Sequence, residues 1–375
     1  MKMQPLTPTL SRWERGNLGS GGSAGTGRSI ATALTGCWRR EPPGARLPES
    51  TWNAIAPLLI RSGAGGLAWR QLRDSRLGSQ ALAHQLRETF RLQALQMALC
   101  ERELQRILRR LRAAGLEPIL VKGWSAAQLY PERGARPAGD IDLLFDPSEL
   151  DAARAVLEKS GPYEVLVDLT HLEVQGLDSN DFGDLVQHSR LLPLGDLEVR
   201  VLGPEDQLRA LSIHLLKHGA YRPLWLCDIA AALERRAPDF DWNRCLRGGR
   251  KRAQWVTCAI SLAWQLLGAD CGDRPEADHA ERLPRWLLSA VLRQWDNPVP
   301  HDRWTPELFA ESLRHPRRWP AALRARWWNP IESTLHLRGS LNFWPRLPYQ
   351  LTSFVLRGAR YLLNVALSYL FFIHR

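Results

Sequence analysis

The stretch that most constrains this chain is Leu120-Val121-Lys122-Gly123, followed after an interval by Gly139-Asp140-Ile141-Asp142-Leu143-Leu144. Its pattern predicts an apolar strand, a glycine turn, a short helix over Trp124 to Tyr130, a loop over Pro131 to Gly139, and a second apolar strand from Asp140 to Phe145. Side chains two apart on a strand share a face. Asp140 and Asp142 therefore stand side by side, with Ile141 turned toward the core. Two carboxylates so close repel each other unless a cation lies between them. A hard divalent ion bound by oxygen ligands, above all Mg²⁺ carrying nucleotide phosphates, is the natural partner. D-x-D pairs also occur on surface strands by chance. The glycine turn upstream and the apolar surroundings give this one its weight.

The rest of the chain arranges itself around that unit. Residues 1–45 are Gly/Ser-rich and end in Glu41-Pro42-Pro43-Gly44. They predict a disordered tail, either native or an upstream extension. Residues 46–115 form an all-helical lead-in of about three helices; Leu86, Met97, Cys100, Leu104, Ile107 and Leu111 share one helix face, and Gly115 ends it. Residues 116–204 hold the strands. After Asp140–Phe145 come a helix through Lys159, opened by Asp146-Pro147, a third strand over Tyr163 to Leu169, and another over Leu197 to Leu202. This predicts a compact α/β unit on a mixed or parallel sheet. Residues 205–300 are helical, with helices expected at Asp206–Gly219, Leu224–Arg235, Lys251–Leu267 and Pro284–Gln294. Residues 301–375 are rich in Trp and Arg and end in an apolar stretch, Leu351 to Ile373.

Several of these segments together resemble the uncharacterised nucleotidyltransferase family, within the DNA polymerase β-like nucleotidyltransferase superfamily. The resemblance rests on Lys122-Gly123, Leu129-Tyr130-Pro131 and Arg136-Pro137-x-Gly139-Asp140-Ile141-Asp142-Leu143-Leu144. It continues in Leu197 to Asp206, His214-x-x-x-His218-Gly219, Leu224 to Ile229 and Asp241-Trp242, covering roughly residues 50–270. It implies an α+β fold: a small nucleotidyltransferase-type mixed sheet with flanking helices, plus N-terminal and C-terminal helical regions. It implies transfer of a nucleoside monophosphate, AMP foremost, from an NTP to a hydroxyl on a small molecule, peptide or protein, with Mg²⁺ as cofactor. Family members often accompany bacterial peptide or polysaccharide biosynthesis genes. Asp140 and Asp142 would be catalytic metal ligands. Gly123, Ser125 and Gly139 would lie against the nucleotide, and Lys122 and Arg136 would counter phosphate charge.

Two departures stand out. Many superfamily members carry Gly-Ser at the turn, whereas this chain has Gly123-Trp124 with Ser125 one position later. The third carboxylate is also irregular: Val167-Asp168-Leu169-Thr170-His171 offers Asp168, with Glu173 as the alternative. If neither reached the metal, the chain would be a nucleotidyltransferase-shaped binding or scaffold protein without turnover. His214 and His218 share a helix face. They could form a second metal site, secure the helical region to the sheet or border the cleft, or contact base or acceptor.

Composition limits the remaining choices. The net charge is +11, and from Ser312 to Arg375 there are ten Arg, no Lys, one Glu and no Asp. Trp304, Trp319, Trp327, Trp328 and Trp344 interleave with these arginines, a pattern seen in single-strand binding. No recognised nucleic-acid module accompanies them, so no nucleic-acid partner is expected. None of the six cysteines forms a CxxC pair, no zinc spacing occurs, and the N-terminus lacks an apolar leader core. A cytoplasmic location is expected. Tyr361 to Ile373 is too short for a bilayer core. A terminal helix docked on the protein and an interfacial helix that would place the chain peripherally at the inner membrane face both remain open.

Overall fold

The computed structural model describes residues 25–159, 163, 165–170, 182–272, 283–296 and 328–359. Four helices lead in: α1 (Gly25–Leu34), α2 (Glu49–Arg61), α3 (Gly65–Leu72) and the long α4 (Ala81–Ala113). The sheet region runs β1 (Ile119–Val121), α5 (Gly123–Ala127), β2 (Asp140–Leu144), α6 (Leu150–Glu158), β3 (Leu166–Thr170), α7 (Phe182–Gln187), β4 (Arg190–Leu194) and β5 (Leu197–Val201). The helical half follows: α8 (Pro204–Lys217), α9 (Pro223–Glu234), α10 (Trp242–Cys245), α11 (Arg250–Leu267), α12 (Arg285–Asp296) and α13 (Pro330–His336). A last helix, α14, occupies residues 347–359.

The five strands form one mixed sheet in the order β3-β2-β1-β5-β4. β2 runs antiparallel to β1, while β1–β5 and β2–β3 are parallel. The β4–β5 hairpin closes one edge through Gly195-Asp196. β4 and α7 were not expected from the sequence. Pro193 within β4 masks the strand pattern, and β4 tolerates it as an edge strand. Such a sheet with many flanking helices is an α+β fold.

Each sheet face has its own core. Ile141, Leu143, Leu120, Val199 and Val201 pack with Met97 to Leu111 of α4 and with Ala153 and Leu157 of α6. On the opposite face Ile119, Val121 and Leu144 meet Leu185 of α7 and Ala210 of α8. Asp140 and Asp142 project on this second side, because their parity matches Leu144. α4 ends as its sequence predicts: Gly115 takes φ +77°, and Leu116 N–H donates to the Leu111 carbonyl at 2.9 Å. Asp146 behaves differently from expectation. It accepts from Ser148 N–H at 2.9 Å in a local turn, and α6 begins only at Leu150.

The expected disordered tail fails over residues 25–45. α1 buries Ile30, Ala31, Ala33 and Leu34 in the same core as α2, α3, α9, α11 and α12. The glycines that mimic disorder permit close approach: a Cβ on Gly27 would lie 2.3 Å from the Leu292 carbonyl oxygen. The lead-in helices and the helical half thus share one core. Among the described residues no helix is long and apolar enough to cross a membrane. Trp304, Trp319, Trp327 and Tyr361 to Ile373 lie outside the described residues.

Candidate active site

The parallel pairing of β2 and β3 sets Asp142 opposite Asp168, and Asp140 opposite Leu166. Paired residues on parallel strands project to the same face. Asp140, Asp142 and Asp168 therefore occupy one face in two adjacent rows. Asp140 and Asp168 are exposed, whereas Asp142 is buried at 5% accessibility. Burial, reinforced by the two neighbouring carboxylates, pushes the Asp142 carboxyl up to about 6 against the opposing pull of Lys122. Glu173 and His171 lie outside the described residues.

Lys122 is the counter-ion within reach. Its Nζ lies 3.5 Å from Asp142 Oδ1. The β1–β2 register explains this: Val121 pairs with Asp142, so the turn after β1 emerges beside that carboxylate. The turn is backbone-strained. Lys122 takes φ +53° and ψ −143°, a region a side chain rarely adopts, and Gly123 follows at φ +36°. A Cβ on Gly123 would lie 2.9 Å from the Asp140 carbonyl oxygen. Gly123 thus lets the turn press against the start of β2.

Two expected nucleotide contacts are turned into the protein instead. Ser125 is buried, and its hydroxyl donates to the Lys122 carbonyl at 2.7 Å, bracing the turn. Arg136 is also buried and clasps Asp228 of α9, with Nε to Oδ1 and Nη2 to Oδ2 both at 3.0 Å. Its Nη1 donates to the carbonyls of Gly123 (2.9 Å) and Pro137 (2.7 Å). All three of its nitrogens donate inside the protein, so it fixes the turn. Gly139 is exposed, with open space where a Cβ would stand.

The long interval between Gly123 and Asp140 has a structural use. Tyr130 donates its hydroxyl to Asp228 at 2.7 Å, joining the Arg136 pair. Glu132 accepts from Arg70 at 2.9 Å and from Arg73 at 2.6 Å, both on the lead-in side. Gly134 and Gly66 meet backbone to side: a Cβ on Gly66 would fall 2.0 Å from the Gly134 carbonyl oxygen. The loop is therefore strapped at once to α3, to Arg73 just beyond it, and to α9, and through Arg136 it carries the turn with it.

The helical half supplies an aromatic wall. His214 and His218, on and just beyond the end of α8, stack with centroids 4.6 Å apart, and His214 meets Trp225 edge-on at 4.5 Å. Burial drives the His214 imidazole far below its usual range, with Lys122 adding to the effect. Burial and the charge of Lys122 likewise bring His218 down to about 4. Both rings are neutral at pH 7 and electrostatically coupled to the strand-turn lysine. Trp225 was missed by the sequence reading; its signal was its place one turn from Tyr221, beside the histidine pair.

The donor set suits a divalent cation in kind: three carboxylate positions on one face, one of them buried and short of positive charge. Side-chain closure is incomplete. Among the described residues no three His, Cys, Asp or Glu side chains gather closely enough to hold an ion as they stand.

The chain resembles known proteins in two ways. An antigenic nucleotidyltransferase-like protein from Paracoccidioides brasiliensis, known from its crystal structure, is 13% identical over 52% of this chain and 92% of that one, with a TM-score of 0.33. No curated protein matches. The model of one family, described as uncharacterised nucleotidyltransferase, matches residues 48–175 and 164–263, more than half of the chain and all of the strand-turn-strand unit. The chain belongs to the uncharacterised nucleotidyltransferase family.

Proposed function

We propose that the chain transfers a nucleoside monophosphate, AMP foremost, from an NTP to a hydroxyl on a small molecule, peptide or protein, with Mg²⁺ held by Asp140, Asp142 and Asp168. The observation that carries this reading is the β2–β3 register, which lines up Asp142 and Asp168 with Asp140 two residues before them. Bound Mg²⁺ would neutralise triphosphate charge and acidify the acceptor hydroxyl. Lys122 is placed to exchange its contact with Asp142 for a phosphate oxygen. Ser125 and Arg136 act as positioning residues, bracing the turn from which Lys122 reaches out. The neutral His214–His218–Trp225 wall offers flat faces to a base or acceptor without adding charge.

Titration calorimetry with ATP, with and without Mg²⁺, tests the reading. ATP is expected to bind only with Mg²⁺, and Asp140→Asn or Asp168→Asn to weaken binding by roughly tenfold or more. Pyrophosphate release on adding hydroxyl acceptors then reports turnover, and Asp140→Asn should abolish it. Failure of every NTP to bind in the presence of Mg²⁺ sinks the proposal. The incomplete closure of the carboxylates favours a second reading, a nucleotide-binding scaffold without turnover in a biosynthetic pathway. Mg²⁺-dependent binding indifferent to Asp168→Asn, with no pyrophosphate from any acceptor, would select it.

A further inference from the structure

A cavity of about 210 Å³ opens where α1, α2, α9 and α12 converge, and none of its lining residues belongs to the carboxylate cluster. Its apolar lining is Ile30, Leu58, Trp295 and Pro223, the residue that opens α9. Its polar lining includes Arg61, Tyr221, Arg222 and Gln294. No Asp or Glu lines it, so the two guanidiniums meet no counter-charge there. Among the described residues neither arginine side chain has an ion pair or a hydrogen bond. Arg61 is exposed, but Nε of Arg222 is buried without an acceptor. Arg70, Arg136 and Arg244, by contrast, each meet a carboxylate. A buried donor left unpaired on a cation costs free energy until something accepts from it. Arg222 is nonetheless held in place. Its guanidinium lies 5.5 Å over the Tyr221 ring and 5.4 Å over the Trp225 ring, and those two rings meet edge-on at 5.0 Å. The turn that delivers Tyr221 and Arg222 is pinned at Ala220, which takes φ +56°. The Ala220 N–H donates to the Leu215 carbonyl at 2.8 Å, and Trp295 Nε1 donates to the Ala220 carbonyl at 3.0 Å. The cation is thus fixed at the cavity wall without a partner of its own.

We infer that this cavity binds a small organic carboxylate with a compact apolar body. The charge of the ligand follows from the two guanidiniums, whose planar donors match a carboxylate. The start of α9, with no acidic residue in its first turn, adds potential of the same sign. The size follows from the volume. An apolar cavity of about 150 Å³ takes up benzene, so one of about 210 Å³ has room for a ring and its carboxylate. The apolar lining favours a ligand with a body to bury over a bare inorganic anion. Pre-placement of Arg222 by the two rings lowers the ordering cost of binding. The inference does not rest on the nucleotidyltransferase reading.

Titration calorimetry of the full chain with benzoate tests it. Benzamide has nearly the same shape without the charge, and acetate has the charge without the ring. Benzoate is expected to bind with a Kd of about 1 mM or tighter. Benzamide and acetate should each bind about tenfold more weakly or worse. Arg222→Gln should weaken benzoate by about tenfold or more, and Arg61→Gln by about threefold or more. Arg61 is exposed, so its variant reads the site even where Arg222→Gln fails to fold. Three results would overturn the inference: no heat from benzoate at concentrations about tenfold above the expected Kd, a benzamide affinity equal to that of benzoate, or a folded arginine variant that binds benzoate like the parent. The last would place the benzoate elsewhere on a basic chain.

Discussion

Asp142 is held where its charge is costly. It is buried, it faces two other carboxylates, and Lys122 opposes them. Its carboxyl is raised to about 6 in the folded chain from 3.8. Below about pH 3 the group is protonated in both folded and unfolded chains, and burial costs almost nothing through ionisation. As pH rises from about 4 to about 6 the unfolded chain ionises first, so the native state loses roughly 1.4 kcal/mol per pH unit, about 3 kcal/mol in all. Asp142→Asn removes that penalty and keeps an acceptor for Lys122. The variant should therefore be more stable than the parent by about 1–3 kcal/mol at pH 7 and nearly equal to it at about pH 3. Urea unfolding at the two pH values reads this directly. Equal stability at pH 7 would mean that the carboxylate is already compensated. A residue that harms stability and persists in the middle of the sheet is what a ligand site looks like.

The buried Asp228 decides what the loop between α5 and β2 can do. It receives Arg136 and Tyr130, both buried. Breaking a buried pair by removing one partner strands the other, at a cost of about 3–5 kcal/mol. Asp228→Ala should lose that much in denaturant unfolding, whereas Arg136→Met/Asp228→Leu should recover most of it. A double variant as unstable as the single one would show that the loop needs the charges themselves. This pair also marks the limit of what the sequence discloses. Asp140, Asp142 and Asp168 were legible because strand parity is local, and so were α4, β2 and β5, whose periodicity is strong. The role of Arg136 was not: an arginine three residues before a glycine-aspartate motif looks like a phosphate ligand until a partner 92 positions away is folded onto it. Ser125 misled for the same reason, since its acceptor is the carbonyl of its own turn. Parity places a side chain on a face, but long-range packing decides which polar group it meets.

At the scale of the molecule, the chain before the first expected helix belongs to the core. α1 contributes Ile30 and Leu34, and the following turn contributes Cys37 and Trp38, all within the cluster that joins α2 and α3 to α9, α11 and α12. Gln71 donates to the Thr35 carbonyl at 2.8 Å, and Arg70, fully buried, takes the carbonyls of Cys37, Arg39 and Arg40. Arg70 also holds Glu132 of the loop that, through Arg136, braces the Lys122–Gly123 turn. Removing residues 1–44 would therefore strip apolar cover from the helical core and leave a buried guanidinium with one acceptor. Full burial of four large or medium apolar side chains is worth roughly 1.5–3 kcal/mol each, and unpaired buried donors add about 1–3 kcal/mol more. The sum, on the order of 10 kcal/mol, rivals the whole stability of an ordinary domain, about 5–15 kcal/mol. A chain begun at Ala45 should not fold on its own. On expression it should be insoluble or show no cooperative thermal transition, while the parent melts in a single step. A cooperative transition in the shortened chain, within a few degrees of the parent's, would show that α1 is an ornament on a core complete without it.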